Sequence, residues 1–292
     1  MKKEVVVLGG GGAVGGMLTG LLRQAGIRTV GIDNRVPYKP LVGLQMDLVY
    51  APLLDARIFE RAVAVIFALP EDVAVQVLPR VLQAVGGEAL IVPTCSVQGP
   101  FHAALKTAAP TQPWLGINPM FSPSLEVRGR PVVMCLDDLH APVHWLETLL
   151  SEAGLDIKRM SVEQHDQAMA LCQALPHAAV IAFGMALAKS GADLAPLLAV
   201  APPPMRTMLA LLSRILCNPV EVYWDIQREN TFAAEQRESL AKAMGQLSDR
   251  VHGDEQHEFA NELIDIAQTL GAHRINGAEE CQRLFSSLNQ FK

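Results

Sequence analysis

The apolar positions open in short, nearly continuous runs: Val5 to Leu8, Thr29 to Ile32, Ala64 to Ala68 and Ala89 to Pro93. Runs of this kind mark parallel strands covered on both faces, because a strand open to water on one side alternates instead. Between them, Gly16 to Gln24 and Val73 to Ala84 repeat their apolar residues at helical spacing. Two further strands are expected at Trp114 to Ile117 and Pro131 to Leu136. A βαβ series of this sort predicts a doubly wound, Rossmann-type parallel sheet, hence an α/β fold class. After about Lys158 the pattern changes. Val162 to Ser190 is one long helical pattern, and its apolar stretch Ala168 to Ala188 reads as a buried helix. Pro202-Pro203-Pro204 breaks the chain, Met205 to Leu216 resumes helix, and Asn230 to Leu270 is helical with a charged face. Residues 1–160 are therefore expected to form the α/β domain and residues 161–292 an all-helical one.

Composition narrows the class without changing the picture. Half of the 292 residues are hydrophobic and 18% are charged, so sizeable cores can form and disorder is not expected. The net charge of −6 comes without a Lys/Arg run, so neither nucleic acid nor a membrane surface is an expected partner. Lys2, Lys3 and Glu4 precede an apolar run that meets glycines too soon for a secretory signal. Cys95, Cys135, Cys172, Cys217 and Cys281 are odd in number and lack CxxC spacing. Reduced thiols in a cytoplasm are expected, with no metal site.

The first candidate chemistry is a glycine loop. Val5-Val6-Val7-Leu8-Gly9-Gly10-Gly11-Gly12-Ala13-Val14-Gly15 contains GxGxxG at Gly10, Gly12 and Gly15. It follows a predicted strand, opens a predicted helix, and precedes a second strand that ends in Asp33, the context a dinucleotide fingerprint requires. Gly10 is expected to permit the tight turn, Gly12 to admit the pyrophosphate, and Gly15 to let helix and strand pack closely. Residues 1–160 are thus expected to be a dinucleotide-binding domain. Asp33 suits the ribose hydroxyls of NAD and repels a 2′-phosphate, while Arg35 leaves NADP open. Ala13, Val14, Asn34, Leu69 and Pro70 complete the expected cofactor set.

Three later segments carry a resemblance. They are Leu115-Gly116-Ile117-Asn118-Pro119-Met120-Phe121-Ser122-Pro123, then His165-Asp166-Gln167-Ala168-Met169-Ala170 running on to Gln173-Ala174-Leu175-Pro176-His177, and finally Arg206 through Arg214-Ile215-Leu216 to Tyr223-Trp224-Asp225-Ile226. In this order, behind the glycine loop, they resemble the prephenate dehydrogenase family. The likeness is to the enteric type, in which that domain follows a chorismate mutase; no mutase domain is expected here. The resemblance implies an NAD-dependent oxidative decarboxylation of a small cyclohexadiene dicarboxylate. It also implies a homodimer built through the helical domain, residues 161–292, which would bind substrate as well.

On that resemblance, Arg214 binds a substrate carboxylate, a task that suits a bidentate guanidinium. Arg206 lies eight residues earlier, about two helical turns, and can add charge on the same face. His177 sits in an apolar helix, where the bland reading is a satisfied core histidine; the match to the family's pocket histidine favours a functional role. Ser96, just past a strand's carboxyl end, resembles the serine that hydrogen-bonds the reacting region. Gln98 stands where the family often has lysine, and is expected at the substrate with one positive charge fewer. Tyr223 is expected to line the pocket. His165 and Asp166 are expected to cap the long helix and link the domains.

One position departs from the family. The catalytic histidine immediately before Pro-Met-Phe is Asn118 here, and an amide has no group that titrates as a general base. Loss of that base lowers turnover of a hydroxyl substrate by a factor on the order of 10²–10⁴. The favoured expectation is an amine at ring C4: 4-amino-4-deoxyprephenate, oxidised to 4-aminophenylpyruvate, as in the amino-substrate branch of the family. The alternatives are an ordinary prephenate dehydrogenase making 4-hydroxyphenylpyruvate, and a non-catalytic homologue that keeps the dinucleotide and ligand pockets.

Overall fold

The computed structural model describes residues 4–34, 43–45, 56–140 and 144–288. The chain divides into two compact units: Met1–Met169 with Arg228–Thr231, and Ala170–Gln227 with Phe232–Lys292. The division falls within the long helical run that begins at Val162, and not before it at residue 160.

The first unit is built on a five-stranded parallel sheet in the order β3-β2-β1-β4-β5. Its strands are β1 (Glu4–Leu8), β2 (Arg28–Asp33), β3 (Gly43–Gln45), β4 (Ala62–Phe67) and β5 (Leu90–Pro93). Burial explains why these runs do not alternate. Val6, Leu8, Val65, Phe67 and Ile91 pack on one face against Val77, Leu78 and Val81 of α2 (Glu71–Ala84) and Phe101 and Leu105 of α3 (Gly99–Ala108). Val5, Val7, Ile66 and Val92 pack on the other, against Leu18 and Leu22 of α1 (Ala13–Gln24) and Leu146 and Leu150 of α4 (Trp145–Glu152). Each such side chain contributes roughly 1.5–3 kcal/mol on burial, so both faces are strongly specified.

The later strands do not simply extend that parallel sheet. β6 (Gly116–Pro119), β7 (Pro131–Cys135) and β8 (Asp156–Met160) form a three-stranded sheet in which β6 runs antiparallel to β7. The strand expected at Trp114 begins two residues later, and Trp114 itself makes an isolated parallel bridge to Ile91 of β5. β8 has a half-exposed, charged sequence and escapes the apolar-run criterion. So does β3, which rests on only three residues.

α5 (Val162–Met169) closes the first unit. Its start is a capping box: the Gln164 backbone N–H donates to the Ser161 hydroxyl, and the Ser161 backbone N–H donates to the Gln164 side-chain oxygen. Ser161, and not His165 or Asp166, therefore caps the helix. Asp166 caps a different helix. Its two carboxylate oxygens accept the backbone N–H groups of Gln98 and Gly99 at the start of α3, at 2.9 and 2.8 Å.

The second unit opens with a π turn (Ala170–Ala174) and α6 (Leu175–Lys189). There follow α7 (Leu194–Val200), α8 (Pro203–Leu216), α9 (Val220–Arg228), α10 (Ala233–His252), α11 (Gln256–Leu270) and α12 (His273–Leu288). The proline triplet does break the chain, and it also starts α8, with Pro202 as N-cap and Pro203 in the first turn, where a missing N–H is harmless. The helical pattern expected from Asn230 to Leu270 is interrupted at Gly253–Glu255. Val162–Lys189 is long and apolar enough to cross a membrane by length and composition. The burial expected for Ala168 to Ala188 is not met within one chain: in α6 only Val180 is buried. Small clusters hold this unit internally, Ala174 with Ile226 and Ala233, and Val180 with Ile215 and Tyr223. Met185, Trp224, Met244 and Leu216 remain exposed.

Candidate functional site

The glycine loop sits between β1 and α1, and its geometry demands glycine where a side chain would collide. The positive φ falls on Gly9, at +77°, and the hydrogen bond from the Gly12 N–H to the Gly9 carbonyl places Gly10 and Gly11 at the centre of the tight turn. A β-carbon on Gly9 would fall 2.0 Å from the Ala68 carbonyl oxygen, and one on Gly15 would fall 2.2 Å from that of Gly9. A side chain on Gly15 would therefore hold α1 away from the loop backbone. Gly12 is the N-cap of α1 and provides no side-chain cap, so the first-turn N–H groups of Ala13, Val14 and Gly15 are left to a ligand. Asp33, buried at the carboxyl end of β2, reaches back to the loop, where its Oδ2 accepts the Gly11 N–H at 2.9 Å.

These features fit a dinucleotide. The uncapped helix start suits a pyrophosphate, and the carboxylate beside it suits ribose hydroxyls and disfavours a 2′-phosphate. Asn34 follows Asp33 on the exposed side, and Leu69 and Pro70 lie between β4 and α2, with Pro70 as N-cap. Arg35 lies outside the described residues.

The turn after β5 carries Ser96 and Gln98. Ser96 is half-buried, and its backbone N–H donates to Glu71 Oε1 at 2.7 Å. Gln98 is enclosed in the turn, and its Oε1 is buried without a hydrogen-bond partner. It is 0% exposed, and its Nε2 donates to the carbonyls of Cys95 and Ile117, tying the turn to β6. The space is closed as well, since a β-carbon on Gly116 would fall 2.3 Å from Gln98 Oε1. The Gln98 amide nitrogen thus braces the turn from within.

Asn118 lies on β6 and is 3% exposed. Its Nδ2 is 3.0 Å from His165 Nε2, and His165 Nδ1 is 2.7 Å from Asp166 Oδ1. These two α5 residues, read from sequence as a cap and a linker, instead form a buried polar chain ending on Asn118. The Ser161/Gln164 capping box was the available signal. It places the helix start upstream and leaves His165 and Asp166 facing inward for another purpose.

The second unit gathers the other candidates. His177 of α6 packs edge-on against Tyr223 of α9, ring centroids 4.9 Å apart. Tyr223 is buried, and its hydroxyl accepts from Asn218 Nδ2 at 2.8 Å. His177 Nδ1 and Gln173 Oε1, one turn apart on the same helical run, are buried without a hydrogen-bond partner. Unsatisfied buried polar atoms call for a polar ligand or water. Burial, and then the charge of Arg214, hold His177 below the usual imidazole range. Arg214 is exposed near the end of α8; Arg206, two turns earlier, is half-buried with its Nε donating to the Ala201 carbonyl.

Comparison with known proteins adds a coherent set of likenesses. A family model described as "Prephenate dehydrogenase, dimerization domain" matches residues 161–265. The chain is 33% identical over 286 residues to a 4-amino-4-deoxyprephenate dehydrogenase from Streptomyces pristinaespiralis, covering 97% of each chain. It is 28% identical to the T-protein of Enterobacter agglomerans, over 98% of this chain and 73% of that one. The crystal structure of prephenate dehydrogenase from A. aeolicus, in complex with hydroxyphenyl propionate and NAD+, superposes with a TM-score of 0.72. That likeness covers 92% of this chain and 97% of the other at 17% identity, and speaks for the fold.

Proposed function

Because the chain belongs to the prephenate dehydrogenase family, we propose that it is an NAD-dependent decarboxylating dehydrogenase whose substrate is 4-amino-4-deoxyprephenate. The products are 4-aminophenylpyruvate, CO₂ and NADH. The observation that carries the choice of substrate is Asn118, an amide at the position where the family's motif holds a base.

The residues divide the work as follows. Gly12 to Gly15 hold the pyrophosphate on the α1 N-terminus, and Asp33 holds the ribose. Bound NAD supplies the hydride acceptor. Arg214 grips a carboxylate of the dianion, with Arg206 adding charge. His177, kept neutral, offers hydrogen bonds beside Tyr223 without adding a third positive charge. Ser96 lies at the turn past β5, where sheets of this kind bind ligands, and is assigned to the reacting region.

At C4 the nitrogen lone pair expels the hydride and becomes an iminium. The C1–carboxylate bond then breaks, its electron pair enters the ring, and the product is an aromatic amine with CO₂. No proton has to leave during hydride transfer, so position 118 needs an acceptor and not a base. A hydroxyl substrate is served less well by that position. Dimerisation belongs to the same reading: the matched dimerization domain covers α6 and α8, whose apolar side chains one chain leaves exposed.

The test is direct. Purified protein with NAD is given prephenate or its 4-amino analogue, and NADH is followed by absorbance. A higher kcat/KM for the amine is expected; a higher value for prephenate would overturn the reading. Asn118→His should raise kcat/KM on prephenate relative to the amine, by about tenfold or more, since general-base catalysis contributes 10²–10⁴ when fully aligned.

A further inference from the structure

A buried polar pair needs a reason, since each group left unsatisfied destabilises the fold. His165 is 0% exposed and Asp166 nearly so, yet neither has a place in the chemistry above. Their hydrogen bonds supply one. Asp166 is held by two backbone N–H groups at the start of α3, from Gln98 and Gly99. Its Oδ1 also lies 2.7 Å from His165 Nδ1. A carboxylate offers only acceptors there, so the ring proton sits on Nδ1. Nε2 faces Asn118 Nδ2 at 3.0 Å, and because an amide nitrogen only donates, Nε2 is the acceptor of that bond.

An amide has one donor end and one acceptor end. With its NH₂ turned inward to His165, Asn118 turns its carbonyl oxygen away from the histidine. We propose that His165, itself set by Asp166, is a positioning residue that fixes the flip of the Asn118 amide, so that position 118 offers the substrate an acceptor. The consequence is chemical. An outward NH₂ would donate to the C4 nitrogen and hold the lone pair that has to expel the hydride. An outward carbonyl accepts an N–H instead and leaves that lone pair available. The link to C4 rests on the function proposed above; the orientation of the amide does not.

Two variants and one spectroscopic measurement test this on the full chain. His165→Met keeps bulk but removes the acceptor. It should lower kcat on the 4-amino substrate about tenfold, the scale of one buried hydrogen bond, while the Kd for NAD stays within twofold. His165→Gln can accept from Asn118 and donate toward Asp166, and should recover most of the loss. Nitrogen-15 NMR of the wild-type protein at pH 7.5 should show His165 protonated at Nδ1 and bare at Nε2. A proton on Nε2, unchanged kcat in His165→Met, or a His165→Gln no better than His165→Met would each overturn the proposal. If the wild-type enzyme prefers prephenate, the amine reading fails by itself. The ring tautomer and the Gln/Met comparison on prephenate then still decide the role of His165.

Discussion

At the scale of single residues, two titratable side chains make separable predictions. His177 is held below the ordinary imidazole range, first by burial and then by Arg214. The unfolded chain therefore binds a proton there before the folded one does as pH falls below about 6.5. The stability from the neutral ring is present above that value and is lost on acidification. His177→Asn removes this titration, so the drop in Tm between pH 7.5 and pH 5.5 should be smaller in the variant; equal drops would contradict the assignment. Asp33 accepts the Gly11 N–H of the glycine loop, and the proposed function gives it the ribose of NAD. Asp33→Ser should weaken NAD binding about tenfold or more, as expected for loss of a charge-assisted hydrogen bond, and narrow the gap to NADP. Fluorescence titration with the two cofactors reads both effects.

At the scale of elements, the strand-loop-helix at the N-terminus was readable because its signals are local. A continuous apolar run, a glycine cluster and a helical period follow one another without help from distant residues. The turn geometry was only half readable, since spacing alone does not say which of four consecutive glycines takes positive φ; here it is Gly9. Gly15 meets backbone, which cannot swing aside as a side chain does. Gly15→Val should therefore destabilise the protein by about 1–3 kcal/mol and abolish NAD binding, measured by thermal melting and titration. β8 escaped detection because its side chains are charged or half-exposed, and its place as a strand comes from pairing with β7.

For the whole molecule, the helical unit exposes more apolar surface than a lone chain should carry. A cavity of about 1140 Å³, lined by Phe183, Met185, Met208, Trp224 and Met244 among others, lies against α6. Gln227 and Arg237 also line it, but the lining is largely apolar and suits packed helices of a second copy. Light scattering should give a dimer's mass. Met185→Glu and Met244→Glu, both harmless in an isolated chain because they are exposed, should shift that mass to a monomer's. A monomeric wild-type protein would refute the dimer.

The sequence by itself determined the dinucleotide loop, the α/β-then-helical order and the family, all carried by short-range patterns and by motif order. Tertiary structure alone decided which partners Asn118, Gln98, His165 and Asp166 meet. Asn118 meets a histidine 47 positions along the chain, and Asp166 meets the turn at Gln98 across 68. No periodicity reports such partners, because a side-chain hydrogen bond between elements exists only once packing has set their distance and excluded the water that would otherwise take its place.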